Sequence, residues 1–178
     1  MFNKIKTLFS FSDYQIAQLK YLFFTFLSES SKLIILGLIF KNNLISFLYS
    51  IMLFSILRLT TGGLHCASYI GCLITTFFFL FISICILPSV KLSIFAMSLL
   101  LSICILINFT IGPISSSKRL SLNSRTKKRL AYQSVFVIGL HLILLLYFKS
   151  NLLIIGSWLI ILHTSQLIIA SSKKEVNS

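Results

Sequence analysis

Six apolar runs occupy most of this chain, at 21–40, 42–57, 72–87, 92–111, 131–148 and 152–170. Each approaches the roughly 20 residues that a helix needs to cross a hydrocarbon core about 30 Å thick. The second is short by a few residues and ends on Arg58, the third stops at Pro88, and the fourth stops at Gly112-Pro113. A mean hydropathy of +0.98 with only three acids excludes a soluble globular protein and a disordered chain alike. The fold expected is an all-α integral membrane protein with six transmembrane helices.

Charge decides how the spans are oriented. The net charge of +13 does not indicate nucleic acid, because the basic residues sit in short gaps between apolar runs rather than on a polar, soluble face. With both termini in the cytoplasm, the inside segments hold twelve of the sixteen Lys and Arg residues: Lys4, Lys6, Lys20, Arg58, Lys118, Arg119, Arg125, Lys127, Lys128, Arg129, Lys173 and Lys174. Only Lys41, Lys91 and Lys149 fall outside, and Lys32 lies within the first span. An even number of spans with both ends inside follows from the positive-inside rule.

Residues 1–20 carry Phe2, Ile5, Leu8, Phe9, Ile16 and Leu19 at helical spacing, the pattern of an amphipathic helix lying on a membrane surface. Ser12-Asp13-Tyr14-Gln15 has the form of a capping box, so a helix is expected to start there and run on into the bilayer. No apolar signal-peptide core or small-residue cleavage site is evident, and the N-terminus is expected to be retained. The remainder, 21–178, is read as one membrane domain with a basic cytoplasmic loop at 115–129 and a polar tail at 171–178. Within the first span Glu29 and Lys32 are three apart on one helix face. They either pair, which lowers the cost of burying two charges, or Glu29 faces the bundle interior and helps orient His65.

One stretch departs from lipid-soluble packing: Arg58-Leu59-Thr60-Thr61-Gly62-Gly63-Leu64-His65-Cys66-Ala67-Ser68-Tyr69-Ile70-Gly71-Cys72. A thiol becomes a nucleophile when a base takes its proton or a cation stabilises the thiolate, and His65 and Arg58 offer both. Seven residues along a continuous helix rise about 10.5 Å, whereas proton transfer needs roughly 3 Å or one bridging water. His65 and Cys72 can therefore act together only if the backbone between them is broken. Gly62, Gly63 and Gly71 supply places to break it, with Ser68 between them. Irregular backbone at membrane depth survives only where protein or a water-filled cavity covers it, so a turn or re-entrant segment is expected at the cytoplasmic rim. Cys72 then stands at or near the start of the third span, where a helix N-terminus favours negative charge.

Rival readings are weaker. Cys66 adjoins His65, but neighbouring side chains point to different sides of a helix or strand. A metal site built on His65, Cys66 and Cys72 lacks a nearby fourth ligand, since His141 and His163 lie in other spans, so no metal or other cofactor is expected. Cys85 and Cys104 lie inside apolar runs and read as small core residues. Backbone amides around Gly71 and Cys72 are the natural candidates for an oxyanion hole.

The pattern Arg-x-x-x-Gly-Gly-x-His with a cysteine seven residues on, here Arg58, Gly62, Gly63, His65 and Cys72, resembles the core of the accessory gene regulator protein B (AgrB) family of bacterial membrane endopeptidases. The likeness extends to 21–32, similar to that family's first span, and to Gly112-Pro113 and the basic residues up to Arg129. Lys118-Arg119-Leu120 stands where the family has lysine-proline-leucine, and Glu29 where asparagine is common. The resemblance implies cysteine peptidase chemistry in a bacterial cell membrane, with the site at the cytoplasmic face. Cys72 would attack a bond of an amphipathic, AgrD-like quorum-sensing propeptide, and His65 would take the thiol proton. An internal thiol or hydroxyl of the substrate would then close a thiolactone or lactone on the acyl-enzyme. It also implies a homodimer. Lys118, Arg119, Arg125, Lys127, Lys128 and Arg129 would hold an acidic propeptide tail or anchor the loop beside anionic lipid. The competing classes are a peptide or ion transporter, which six spans and a midplane Glu29 would suit, and a non-catalytic membrane scaffold. The transporter reading leaves the clustered His65 and Cys72 unexplained.

Overall fold

A computed structural model describes residues 13–62, 68–114 and 123–176 of the chain. The first twelve residues of the expected interfacial helix lie outside the described residues, as do Gly63, His65, Cys66, Lys118 and Arg119. The chain divides into two compact units, Met1–Lys41 and Asn42–Ser178. No strand occurs among the described residues.

The first unit is built on a single helix, α1 (Asp13–Ile39). Its 27 residues correspond to about 40 Å at 1.5 Å per residue. The helix passes without a break through residues 20 and 21, where surface-lying pattern gives way to apolar run. Midway along it Lys32 Nζ donates to Glu29 Oε1 at 2.6 Å, one turn apart. That is the pairing their spacing favoured, and it leaves a neutral couple in an apolar helix.

The second unit contains five helices: α2 (Leu44–Thr61), α3 (Tyr69–Phe81), α4 (Ile94–Ile111), α5 (Ser124–Phe148) and α6 (Asn151–Val176). A π turn (Ile82–Ile86) and a 3₁₀ turn (Leu87–Ser89) extend α3. Pro88 has no N–H to donate, and the Leu87 N–H bonds Ile82 O instead, which widens the last turns before the helix stops. Five stretches among the described residues are long and apolar enough to cross a membrane: Lys41–Thr61, Tyr69–Ser89, Ile94–Ile111, Ser124–Phe148 and Asn151–Ser172.

Several boundaries differ from the hydropathy reading. Helix α2 continues past Leu57 to Thr61, so Arg58 lies in its last turn rather than beyond its end. Helix α5 begins at Ser124, which makes the latter part of the expected 115–129 loop helical, and α6 runs on to Val176 through the expected tail. Hydropathy marks only the lipid-facing length, whereas Lys, Arg and Leu are good helix formers and carry a helix past the hydrocarbon. Cys104 is buried as expected, but Cys85 is exposed on the outer surface rather than in the core.

Helix α6 is the axis of the second unit. Of its membrane-length window 61% is buried, against 22–33% for the other four. Gly156 lets α2 and α5 approach it closely, since a Cβ there would lie 2.6 Å from His141 Cε1 and 2.8 Å from Tyr49 Cε1. Hydrogen bonds fasten the crossing. His141 Nδ1 meets Tyr49 Oη at 2.9 Å, and His141 Nε2 lies 3.1 Å from both Leu153 O and Ser157 Oγ. Asn108 Nδ2 donates to Thr164 Oγ1 at 3.0 Å and ties α4 to the same axis.

Candidate active site

The end of α2 and the start of α3 form the two walls of the site. Helix α2 stops because Gly62 takes φ +78, with its N–H on Arg58 O at 3.0 Å. No other residue fits there: a Cβ would sit 2.6 Å from Ile114 O, in addition to the strain of a left-handed backbone. Ser68 is extended (φ −107, ψ 150) and caps α3, its Oγ accepting the Gly71 N–H at 3.1 Å. With Gly62 and Ser68 both outside helices, α2 and α3 are separate helices. Cys72 falls in the first turns of α3.

Arg58 reaches across this break. Its Nη2 lies 3.9 Å from Cys72 Sγ, a long contact suited to sulfur. The guanidinium also stacks over Phe54, 5.7 Å from the ring centroid, which holds its plane. A cation in the last turn of α2 is also favoured by the helix dipole. The Cys72 thiol is half-buried, with its backbone N–H on Ser68 O at 3.1 Å. In this arrangement the Gly71 N–H donates to Ser68 Oγ and the Cys72 N–H to Ser68 O, so these two amides are engaged within the first turn of α3. Helix capping takes the amides that a free turn would have offered.

Two residues that the sequence did not single out brace the α2 wall. Thr61 Oγ1 donates to Leu57 O at 2.8 Å and lies 2.7 Å from His163 Nε2. A hydroxyl has one proton, so His163 Nε2–H donates to Thr61 and Nδ1 is left as a bare acceptor. That Nδ1 has no partner among the described residues, although His163 is 1% exposed. The Thr61 carbonyl meanwhile accepts the Ile114 N–H at 3.0 Å. His163 also stands edge-on to Phe54, with centroids 5.7 Å apart. A single chain of contacts thus runs His163, Phe54, Arg58, Cys72. The only sequence signal was a histidine inside the last apolar run.

The basic residues separate into groups. Arg125, Lys128 and Arg129, in the first two turns of α5, line a groove of about 870 Å³ against Ile56, Leu59 and Thr60 of α2. At 3.6 residues per turn, Arg58 points roughly 150° away from that face of α2. These three cations therefore stand on the opposite side of α2 from Cys72. Lys127 is exposed and does not line the groove. Glu29 belongs to the first unit, where its described partner is Lys32. Among the described residues no group of three or more His, Cys, Asp or Glu side chains stands together as a metal site.

A family model described as accessory gene regulator B (AgrB) matches residues 1–169. No curated protein and no solved structure matches the chain.

Proposed function

Because the chain belongs to the accessory gene regulator B (AgrB) family, whose members process quorum-sensing propeptides in a membrane setting, we propose that it is a cysteine endopeptidase with Cys72 as nucleophile and His65 as base. The observation that carries this reading is the Arg58 guanidinium 3.9 Å from Cys72 Sγ at a point where the helical backbone is interrupted. A cation and a helix N-terminus together stand where a thiolate's charge would form. Helices α1 to α6 then make the six spans, with both termini and the thiol at the cytoplasmic face.

In the reaction, His65 takes the Cys72 proton and the sulfur attacks the scissile carbonyl of the propeptide. The tetrahedral intermediate collapses, the C–N bond breaks, and His65 returns the proton to the departing amine of the C-terminal tail. A thiol or hydroxyl within the retained peptide attacks the thioester, closes the ring and releases Cys72 with its proton restored. Thioester exchange is nearly balanced in energy and needs no nucleotide, provided water is kept from the acyl-enzyme. The tail is guided by cations of the 115–129 segment, with Lys118, Arg119, Arg125, Lys127, Lys128 and Arg129 as the candidates. The functional unit is a homodimer on the strength of the resemblance alone.

Coexpression with a cognate propeptide, followed by mass spectrometry of the products, tests the assignment. Cys72→Ala and His65→Ala are expected to reduce cleavage by roughly 10⁴-fold or more at normal membrane abundance, while Cys66→Ser retains it. Cleavage persisting in Cys72→Ala would remove the peptidase reading.

A further inference from the structure

We infer that the groove between α2 and α5 is a binding site for one phospholipid with an anionic headgroup. The first support is an arrangement that local rules disfavour. A helix N-terminus repels cations, yet Arg125, Lys128 and Arg129 gather in the opening turns of α5, where Asn123 gives no side-chain cap. An anion held between them would offset both the mutual repulsion and the unfavourable dipole.

The second support is the order of polarity down the groove. The three cations come first, Tyr132 and Gln133 follow one turn deeper, and Phe136 and Val137 close it, with Thr60 above Ile56 on the facing helix. Phosphate, ester and acyl chain have the same sequence of chemistry. From Arg125 to Val137 the α5 rise is about 18 Å, close to one leaflet of a hydrocarbon core about 30 Å thick.

The third support separates a lipid from a peptide. Leu59, Tyr132 and Phe136 are 75%, 61% and 69% exposed, so the groove is an outward-facing one on the flank of the second unit. A peptide lying there would bring a row of N–H and C=O groups to walls that offer only Thr60, Tyr132 and Gln133 below the cations, leaving most of them unsatisfied in lipid. An acyl chain makes no such demand. Basic pockets between transmembrane helices are suited to anionic headgroups. The inference does not depend on the peptidase assignment.

The full-length protein, purified in detergent and incubated with equal amounts of phosphatidylglycerol and phosphatidylcholine, is examined by native mass spectrometry. One phosphatidylglycerol is expected to be retained in preference to phosphatidylcholine. The variant R125Q/K128Q/R129Q should bind it roughly 100-fold more weakly, while R125K/R129K, which keeps the charges, should bind near wild type. Val137→Trp, which fills the groove and leaves the cations, should also lose it. Helical circular dichroism shows whether each variant is folded, and the charge-preserving and groove-filling pair keeps the test decisive if the triple variant is not. Equal retention by wild type and Val137→Trp would overturn the site. So would an equal loss in K41Q/K91Q/K149Q, which points to diffuse charge, or displacement of the lipid by an acidic peptide, which makes the groove a peptide site.

Discussion

Two buried histidines in the second unit stand in opposite conditions. His141, at the crossing of α2, α5 and α6, has partners on both nitrogens, in Tyr49, Leu153 and Ser157. His163, midway along α6, has Thr61 on one nitrogen and nothing among the described residues on the other. A fully satisfied polar cluster in an apolar interior rigidifies and specifies the packing, whereas a half-satisfied one is destabilising and persists where something else is gained. His141 reads as structure. His163 lies behind Phe54 and Arg58, at the end of the unit where the thiol is, and reads as a brace for the site.

That contrast makes separable predictions. The largest effect on stability should come from His141→Ala, which removes a packed ring and strands its partners, at about 3 kcal/mol. Thermal unfolding followed through Trp158, the single tryptophan, measures it. Gly62→Ala comes next, destabilising by more than about 1 kcal/mol because φ +78 disfavours a side chain and the new Cβ meets Ile114 O. Propeptide cleavage should fall with it, since Gly62 sets where α2 ends, next to Arg58.

Arg58→Lys keeps the charge but loses the planar stack on Phe54. We expect cleavage to drop about ten-fold with stability changed by under about 1 kcal/mol; unchanged cleavage would show that position alone, without the guanidinium plane, suffices. The smallest stability effect is expected of His163→Phe, below about 1 kcal/mol, paired with a several-fold fall in kcat at constant KM. If His163→Phe instead unfolds the protein as readily as His141→Ala, the two histidines have the same role and the contrast is void.

Much of the frame was legible in the chain itself. Apolar run length is a local property, and the five membrane-length helices of the second unit follow it to within a few residues, except where charged helix formers extended α5 and α6 beyond the lipid-facing length. The stop of α2 at Gly62 was also legible, because a glycine acts through its own backbone, whereas the capping of α3 by Ser68 was not foreseen. The pairing of Glu29 with Lys32 followed from three-residue spacing on one helix.

What the sequence by itself determined, then, is every feature that rests on contacts within a few residues: the helices, their caps, the interruption before Cys72, and the motif that marks the family. Only the tertiary structure decided which helix faces which. Arg58 meets Cys72 across 14 residues, and Thr61 meets His163 across 102. The turning of Arg125, Lys128 and Arg129 to the far side of α2 likewise depends on the rotation of two helices about their own axes. Hydropathy is blind to such rotation in a chain apolar on nearly all faces. Close packing at Gly156 and the buried hydrogen bonds fix the faces instead, and these form only once the helices have met.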